Sequence, residues 1–153
     1  MLNKLFVAVD RFESRHHVID FVSQATNGTA VTARVFHGIE FAGLGCAAPL
    51  DTRDEAALIV EEAVFKLRMA GIGCDGLVRL AVNRDVGVLV LEEANRWGAD
   101  AIVVGARRRR APTWLFGRGV REQIIRRSTL PVLVAPDPHE LAHRPVGSQL
   151  HLP

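Results

Sequence analysis

Short apolar runs alternate with amphipathic stretches of helical period along most of this chain, and that alternation leaves few folds open to it. Lys4 to Asp10, KLFVAVD, is an apolar run ending in an acid, and Thr29 to His37 is rich in β-branched residues. Leu77 to Val82 is a weaker run, Ala101 to Val104 ends in Gly105, and Pro131 to Ala135 is closed by Pro136. Between these runs the period changes. Ser14 to Ala25 carries Val18, Phe21, Val22 and Ala25 at helical spacing and is stopped by Asn27-Gly28. A second helix, capped by Asp51 or Thr52, sets Ala56, Val60, Ala63, Val64 and Leu67 on one face and ends at Gly71. Asp85 to Trp97 turns Leu89, Ala94 and Trp97 inward and stops at Gly98; a fourth helix, REQIIRRS, precedes the last run. Strands alternating with helices at this spacing predict an α/β fold: an open parallel sheet with right-handed crossovers.

Residues 1–136 form one expected domain, and 137–153, where the pattern fails, read as a C-terminal tail. Residues 38–50 are Gly- and Ala-rich and read as a long loop. Apolar content of 48% with 24% charged residues is ordinary for a globular domain. No stretch approaches the ~20 apolar residues of a membrane span, so no membrane association is expected. The start lacks the features of a signal peptide, and Cys46 and Cys74 form neither a CxxC pair nor a disulfide framework. A cytoplasmic protein with reduced thiols is the expectation.

The chemistry concentrates in one place. Between the runs at 101–104 and 131–135 lie eight arginines (107, 108, 109, 110, 118, 121, 126 and 127) against one acid, Glu122. In a parallel α/β sheet the loop after a strand sits at the carboxyl ends, where such folds bind ligands. Arginine grips phosphate bidentately, so an anion site is expected there. The net charge of only +2 confines any attraction for polyanions to this cluster.

The same segment, ADAIVVGARRRRAPTWLFGRGVREQIIRRSTLPVLVAP, resembles the universal stress protein family, whose nucleotide-binding members carry a loop of the form G-x2-G-x9-G-[S/T] before a helix and the strand PVLV. Gly105 falls on the first glycine, Arg108 on the second, Arg118 on the third, and Gly119 on the Ser/Thr. VAVD at 7–10 resembles the family's first strand and its nucleotide-facing Asp, here Asp10. VFHGIE at 35–40 resembles the second strand, with Gly38 where an apolar adenine-contacting residue lies, and NRWGADAIVVGARR resembles the approach to the loop. Asp10 is followed by Arg11-Phe12 in place of Gly-Ser.

The resemblance implies a single-domain, Rossmann-like fold of the adenine nucleotide alpha hydrolase kind. Its five parallel strands would run in the order 3-2-1-4-5 with helices on both faces. It also implies a homodimer through the last strand, with Val132, Leu133 and Val134 at its edge. The candidate pocket comprises Asp10, Gly38, Gly105, Arg108, Arg118, Gly119, Val120 and Arg121. Arginine side chains at glycine positions crowd a phosphate loop and disfavour its left-handed backbone, and Gly119 lacks the hydroxyl a phosphate would meet. The expected function is therefore a non-catalytic regulatory domain with an impaired nucleotide pocket, acting through its dimer and an unidentified protein partner. No cofactor is expected, ATP entering only through the resemblance. One alternative is an ATP or cyclic-nucleotide sensor gripping phosphates with Arg108 and Arg118. Another is nucleic-acid binding, with Trp114 and Phe116 as stacking platforms; the shortness of the cluster weighs against it.

Three further strings are set aside. His139-Glu140-Leu141-Ala142-His143 spells HExxH, but Pro138 and Pro145 flank it outside the domain, so no metal site is expected. Gly43-Leu44-Gly45-Cys46-Ala47-Ala48 fits GxGxxA without leading from a strand into a helix. His16 and His17 read as surface residues and His37 as packing at a strand end. No catalytic constellation is assembled.

Overall fold

β1 (Lys4–Ala8) is the central strand, as its residues require: Leu5, Phe6 and Val7 are buried on both faces, and only a strand covered on both sides accommodates such a run. The computed structural model describes residues 1–12, 14–42, 48–82, 85–106 and 119–138. Five parallel strands run in the order β5 (Gly73–Leu80), β2 (Thr32–Ile39), β1, β6 (Ala101–Gly105), β7 (Val132–Ala135). Val7 lies opposite Val35 on one side and Val103 on the other. The sheet is the expected one, with one difference of detail. Residues 38–50, read as loop, extend β2 to Ile39 and then form a two-residue antiparallel pair, β3 (Phe41–Ala42) with β4 (Ala48–Pro49).

Strand limits shift where local chemistry opposes the apolar pattern. β1 ends at Ala8, two residues before Asp10, and β2 begins at Thr32. β5 starts at Gly73, four residues before the apolar run, because Gly73 to Gly76 pair with Thr32 to Val35. Its Asp75 carboxylate accepts from Arg34 Nε at 2.7 Å across that pair, so an ion pair extends the strand where hydrophobic periodicity is silent. The Arg34 guanidinium beside Asp75 holds that carboxyl below its usual value.

Two helices cover each face. α1 (Ser14–Ala25) and α2 (Arg53–Met69) bury Val18, Ile19, Val22, Val60, Ala63 and Leu67 against Leu5, Val7, Val35 and Val103. α3 (Val86–Trp97) and α4 (Val120–Arg127) bury Leu89, Val90, Ala94 and Ile124 against Phe6, Phe36, Ile102 and Val104. Each large aliphatic chain so buried contributes about 1.5–3 kcal/mol. Thr52 caps α2: its side chain accepts from Glu55 N at 3.1 Å while Glu55 Oε2 accepts from Thr52 N at 2.7 Å. This reciprocal cap leaves Asp51 free for another use. Gly98 ends α3 in the left-handed region, φ 72°.

Asp100 ties the two ends of this core together. Its Oδ2 accepts from Asn3 N and Lys4 N, both at 2.9 Å, and these bonds hold the carboxyl below the usual range. Cys74 is half-buried and its thiol is pushed up to about 11 by burial and by Asp75, which makes it a poor nucleophile.

Gly76 is the tightest point between α2 and the sheet, since a Cβ there would lie 2.2 Å from Val60 Cγ1. Gly76→Ala is expected to destabilise the protein by about 1–3 kcal/mol. Val60→Ala in the same chain should recover part of that loss, as read by denaturant melts. Equal stability of Gly76→Ala and wild type would refute the packing.

Candidate functional site

The strand order reverses direction at β1, which sends β2 to one side and β6 to the other. A crevice at the carboxyl ends is the geometric result. It holds a cleft of about 480 Å³, the size of a small-molecule site. Val9, Phe36, Val90 and Val104 give it an apolar floor.

Four strand or helix ends supply the walls. After β1, Asp10 turns the chain: its Oδ1 accepts from Phe12 N at 2.9 Å, and Ser14 Oγ donates to Oδ2 at 2.9 Å. Asp10 thereby starts α1 while remaining exposed at the cleft. After β6, Gly105 lies against α1, where a Cβ would sit 3.1 Å from Val18 Cγ2. Gly38 presses on α3 instead, since a Cβ there would meet Val86 Cγ1 at 2.9 Å. Its lack of a side chain lets α3 approach the cleft rim.

The fourth wall is the amino end of α4. Gly119 is its N-cap with φ −54° and ψ 145°, and it makes no side-chain cap bond. The first-turn N–H groups therefore lack the partner a Ser or Asp would bring, and the helix dipole favours an anion there. Arg121 Nε is buried beside them without a hydrogen-bond partner among the described residues. α4 is fixed to α3 by a hydrogen bond from Gln123 Nε2 to Asp85 Oδ2 and by close approach at Gly87, where a Cβ would sit 3.2 Å from Gln123 Cβ.

Sequence reasoning missed a buried polar chain on the β2 side of the cleft. His37, 3% exposed, sets Nδ1 2.9 Å from the Val9 carbonyl oxygen, to which it donates. Its Nε2 lies 3.0 Å from Asp51 Oδ2, and Asp51 is itself 6% exposed. Arg11 Nε lies 3.3 Å from Asp51 Oδ1. His37 does pack at a strand end, but no spacing in the sequence links it to Asp51, which looked like a helix cap. Glu40 stands beside this group with solvent at its tip. The cleft wall strips enough hydration from it to push its carboxyl above the usual value, and Asp85 adds to the rise.

Asp10, Gly38, Gly105, Gly119, Val120 and Arg121 are thus brought to one cleft. Arg108 and Arg118 lie outside the described residues, as do Trp114, Phe116, most of the GxGxxA string and the HExxH string. Among the described residues no cluster of three His, Cys, Asp or Glu side chains could hold a metal ion, and no helix is long and apolar enough to cross a membrane.

Residues 1–136 match the sequence model of the universal stress protein family. Several solved structures share the fold. The universal stress protein from Archaeoglobus fulgidus is 21% identical over 89% of this chain and 95% of that chain, with a TM-score of 0.67. The structure of the universal stress protein from Archaeoglobus fulgidus in complex with dAMP is 22% identical over 89% and 100%, at 0.67. A universal stress protein family protein from Arabidopsis thaliana with AMP bound is 19% identical over 90% and 94%, at 0.62. No curated protein sequence matches the chain.

The raised Glu40 carboxyl makes a pH-dependent prediction. An acid whose folded pKa exceeds its unfolded value binds protons more readily in the native state, so its ionisation costs stability as pH rises through the folded value. Glu40→Gln should therefore be more stable than wild type at pH 7, by under about 1 kcal/mol after solvent screening. The difference should vanish below about pH 4, where both forms are neutral. Thermal melts at the two pH values check it; an advantage that persists in acid would assign the effect to something other than charge.

Proposed function

This chain belongs to the universal stress protein family, and from that premise we propose that it is a cytoplasmic, non-catalytic regulatory domain whose cleft takes an adenine nucleotide at reduced affinity. The observation that carries the reading is the coincidence of an apolar floor with an uncapped helix end and the buried, unpartnered Arg121 Nε in one cleft of about 480 Å³. An apolar base and an anionic phosphate are what such a cleft complements. Solved neighbours of the same fold hold dAMP and AMP. Among the described residues, His37 is engaged by Val9 and Asp51 and Asp10 by Phe12 and Ser14, which supports the non-catalytic reading.

The reduced affinity follows from sequence. Arg108 and Arg118 stand where the family's nucleotide loop has glycines, and Gly119 stands where it has a hydroxyl. In this reading the output passes through a homodimer and a protein partner. Among the described residues β7 pairs only with β6 in the five-stranded sheet and so leaves an edge, with Val134 38% exposed. A second reading is favoured by the buried, unpartnered Nε of Arg121, in which the loop arginines replace lost N–H contacts and grip the phosphates of ATP or a cyclic nucleotide. A nucleic-acid ligand would instead show steep salt dependence of oligonucleotide binding.

Two experiments decide among these. In calorimetric titration with ATP and AMP, the triple variant Arg108→Gly, Arg118→Gly, Gly119→Ser is expected to bind at least about tenfold more tightly than wild type. Tight binding by wild type that the triple variant loses would establish the grip instead. For the dimer, Val134→Lys should sediment as a monomer, because a charge on an edge strand opposes pairing. An unchanged dimer would move the interface elsewhere.

A further inference from the structure

We propose that the outer ridge of α2 is a second self-association surface, on which another copy of this chain lays its own α2 antiparallel about a two-fold axis near Phe65. The surface is independent of the nucleotide reading. It also lies apart from the β7 edge, because α2 packs over β2 and β5 at the opposite side of the sheet.

Helical geometry separates two faces of α2. Ala56, Val60, Ala63 and Leu67 are buried against the sheet. Leu58, Phe65 and Met69 fall on one line along the opposite face and are 64%, 65% and 72% exposed. An amphipathic helix needs only the first of these faces; a second line of large apolar side chains marks a contact. Beside the line, toward β5, Ala57, Val60, Val64, Gly76 and Val78 line a groove of about 450 Å³. Phe65 borders both, so line and groove form one apolar surface.

The charges beside the groove select its occupant. Asp54 and Glu55 in the first turn and Lys66 and Arg68 in the last answer to the helix dipole, which alone says nothing of a partner. Glu61 is different: it sits in mid-helix, exposed, with no ion pair among the described residues. Arg68 follows on the same flank, its Nε and Nη2 donating to the Cys74 carbonyl, and it too has no ion pair among the described residues. About 10 Å of helix separates the two positions, too far for the chain to join them itself. On the other flank Glu62 and Lys66 already pair within the chain at 3.1 Å.

A two-fold axis between antiparallel helices sets each flank against the same flank of the other copy, and the contact is self-complementary. Glu61 then meets the partner's Arg68, Arg68 meets the partner's Glu61, and Leu58 meets the partner's Met69. The midpoints of Glu61–Arg68 and Leu58–Met69 both fall within one turn of Phe65, so one axis serves both pairings and brings the two Phe65 rings together at the groove. The charge pattern thus fits a second copy of the same helix run in reverse. One helix ridge and a groove make a contact at the low end of interface sizes, so the association is weak and adds to the β7 pairing without replacing it.

The test uses the full chain carrying Val134→Lys, which blocks the β7 edge, in sedimentation equilibrium from about 10 μM to about 1 mM. It should be monomeric at the dilute end and dimeric at the concentrated end. Adding Phe65→Glu should keep it monomeric throughout with an unchanged melting temperature, because that side chain is exposed. Glu61→Lys and Arg68→Glu, each added alone, should weaken association by about tenfold or more. An equal mixture of those two chains should associate as tightly as the parent, since each supplies the charge the other lacks, and a loss of fold cannot produce that recovery. Arg68→Glu gives up its bonds to the Cys74 carbonyl, so its melt is taken first, and Phe65→Glu decides the question if that variant is unstable. Association that Phe65→Glu leaves intact would overturn the proposal, as would a mixture of folded chains no tighter than its components. A parent chain still monomeric at the concentrated end would also overturn it and leave the ridge to a different protein.

Discussion

Burial of β1 on both of its faces is the constraint from which the other elements take their places. Leu5 and Val7 need α1 and α2 on one side, and Phe6 needs α3 and α4 on the other, because a strand apolar at successive positions cannot leave either face wet. Pairing on both edges follows, with β2 on one and β6 on the other. The two flanking strands then lead to helices that diverge from β1, and the space between their ends becomes the cleft. The site is thus a geometric by-product of one strand's hydrophobicity, furnished afterwards with polar groups.

Those groups divide the cleft electrostatically. The β6 side offers main-chain N–H groups and Arg121, a favourable setting for an anion. The β2 side is rich in carboxyls, and its polar centre is a buried imidazole–carboxylate contact whose members come from β2 and from the residue before the α2 cap. Because Thr52 takes over the capping duty through Glu55, Asp51 is released to face His37. A local device of helix initiation therefore decides what the pocket wall is made of.

The fold was legible because its strongest signals are local. α1 occupies the residues its spacing predicts, α2 buries the face its periodicity marks, and the runs at 4–10 and 101–104 both became buried strands. β5 was half-legible: Gly73 to Gly76 carry no apolar rhythm, and their strand conformation depends on pairing with β2, which no local pattern reports. The antiparallel pairing of β3 with β4 was hidden for the same reason. Within the site, Asp10 and the α4 amino end could be read from strand and helix termini and from the family likeness. The contact among Arg11, His37 and Asp51 could not, since it joins three segments through the tertiary fold.

The position of α4 also sets a timetable. It forms one wall of the cleft, yet Val120 to Arg127 lie near the end of the described chain, and Ile124 seals a face of the core that Phe6 opened at its beginning. Asp100, too, must be made before it can hold Asn3 and Lys4. During synthesis, β1, β2 and β5 can pair early, but the face that carries Phe6 and Phe36 waits for α3 to cover part of it and for α4 to complete the cover. The cleft is accordingly among the last features the nascent protein completes, and a chain cut short before α4 keeps four of its five main strands and lacks one wall of the cleft.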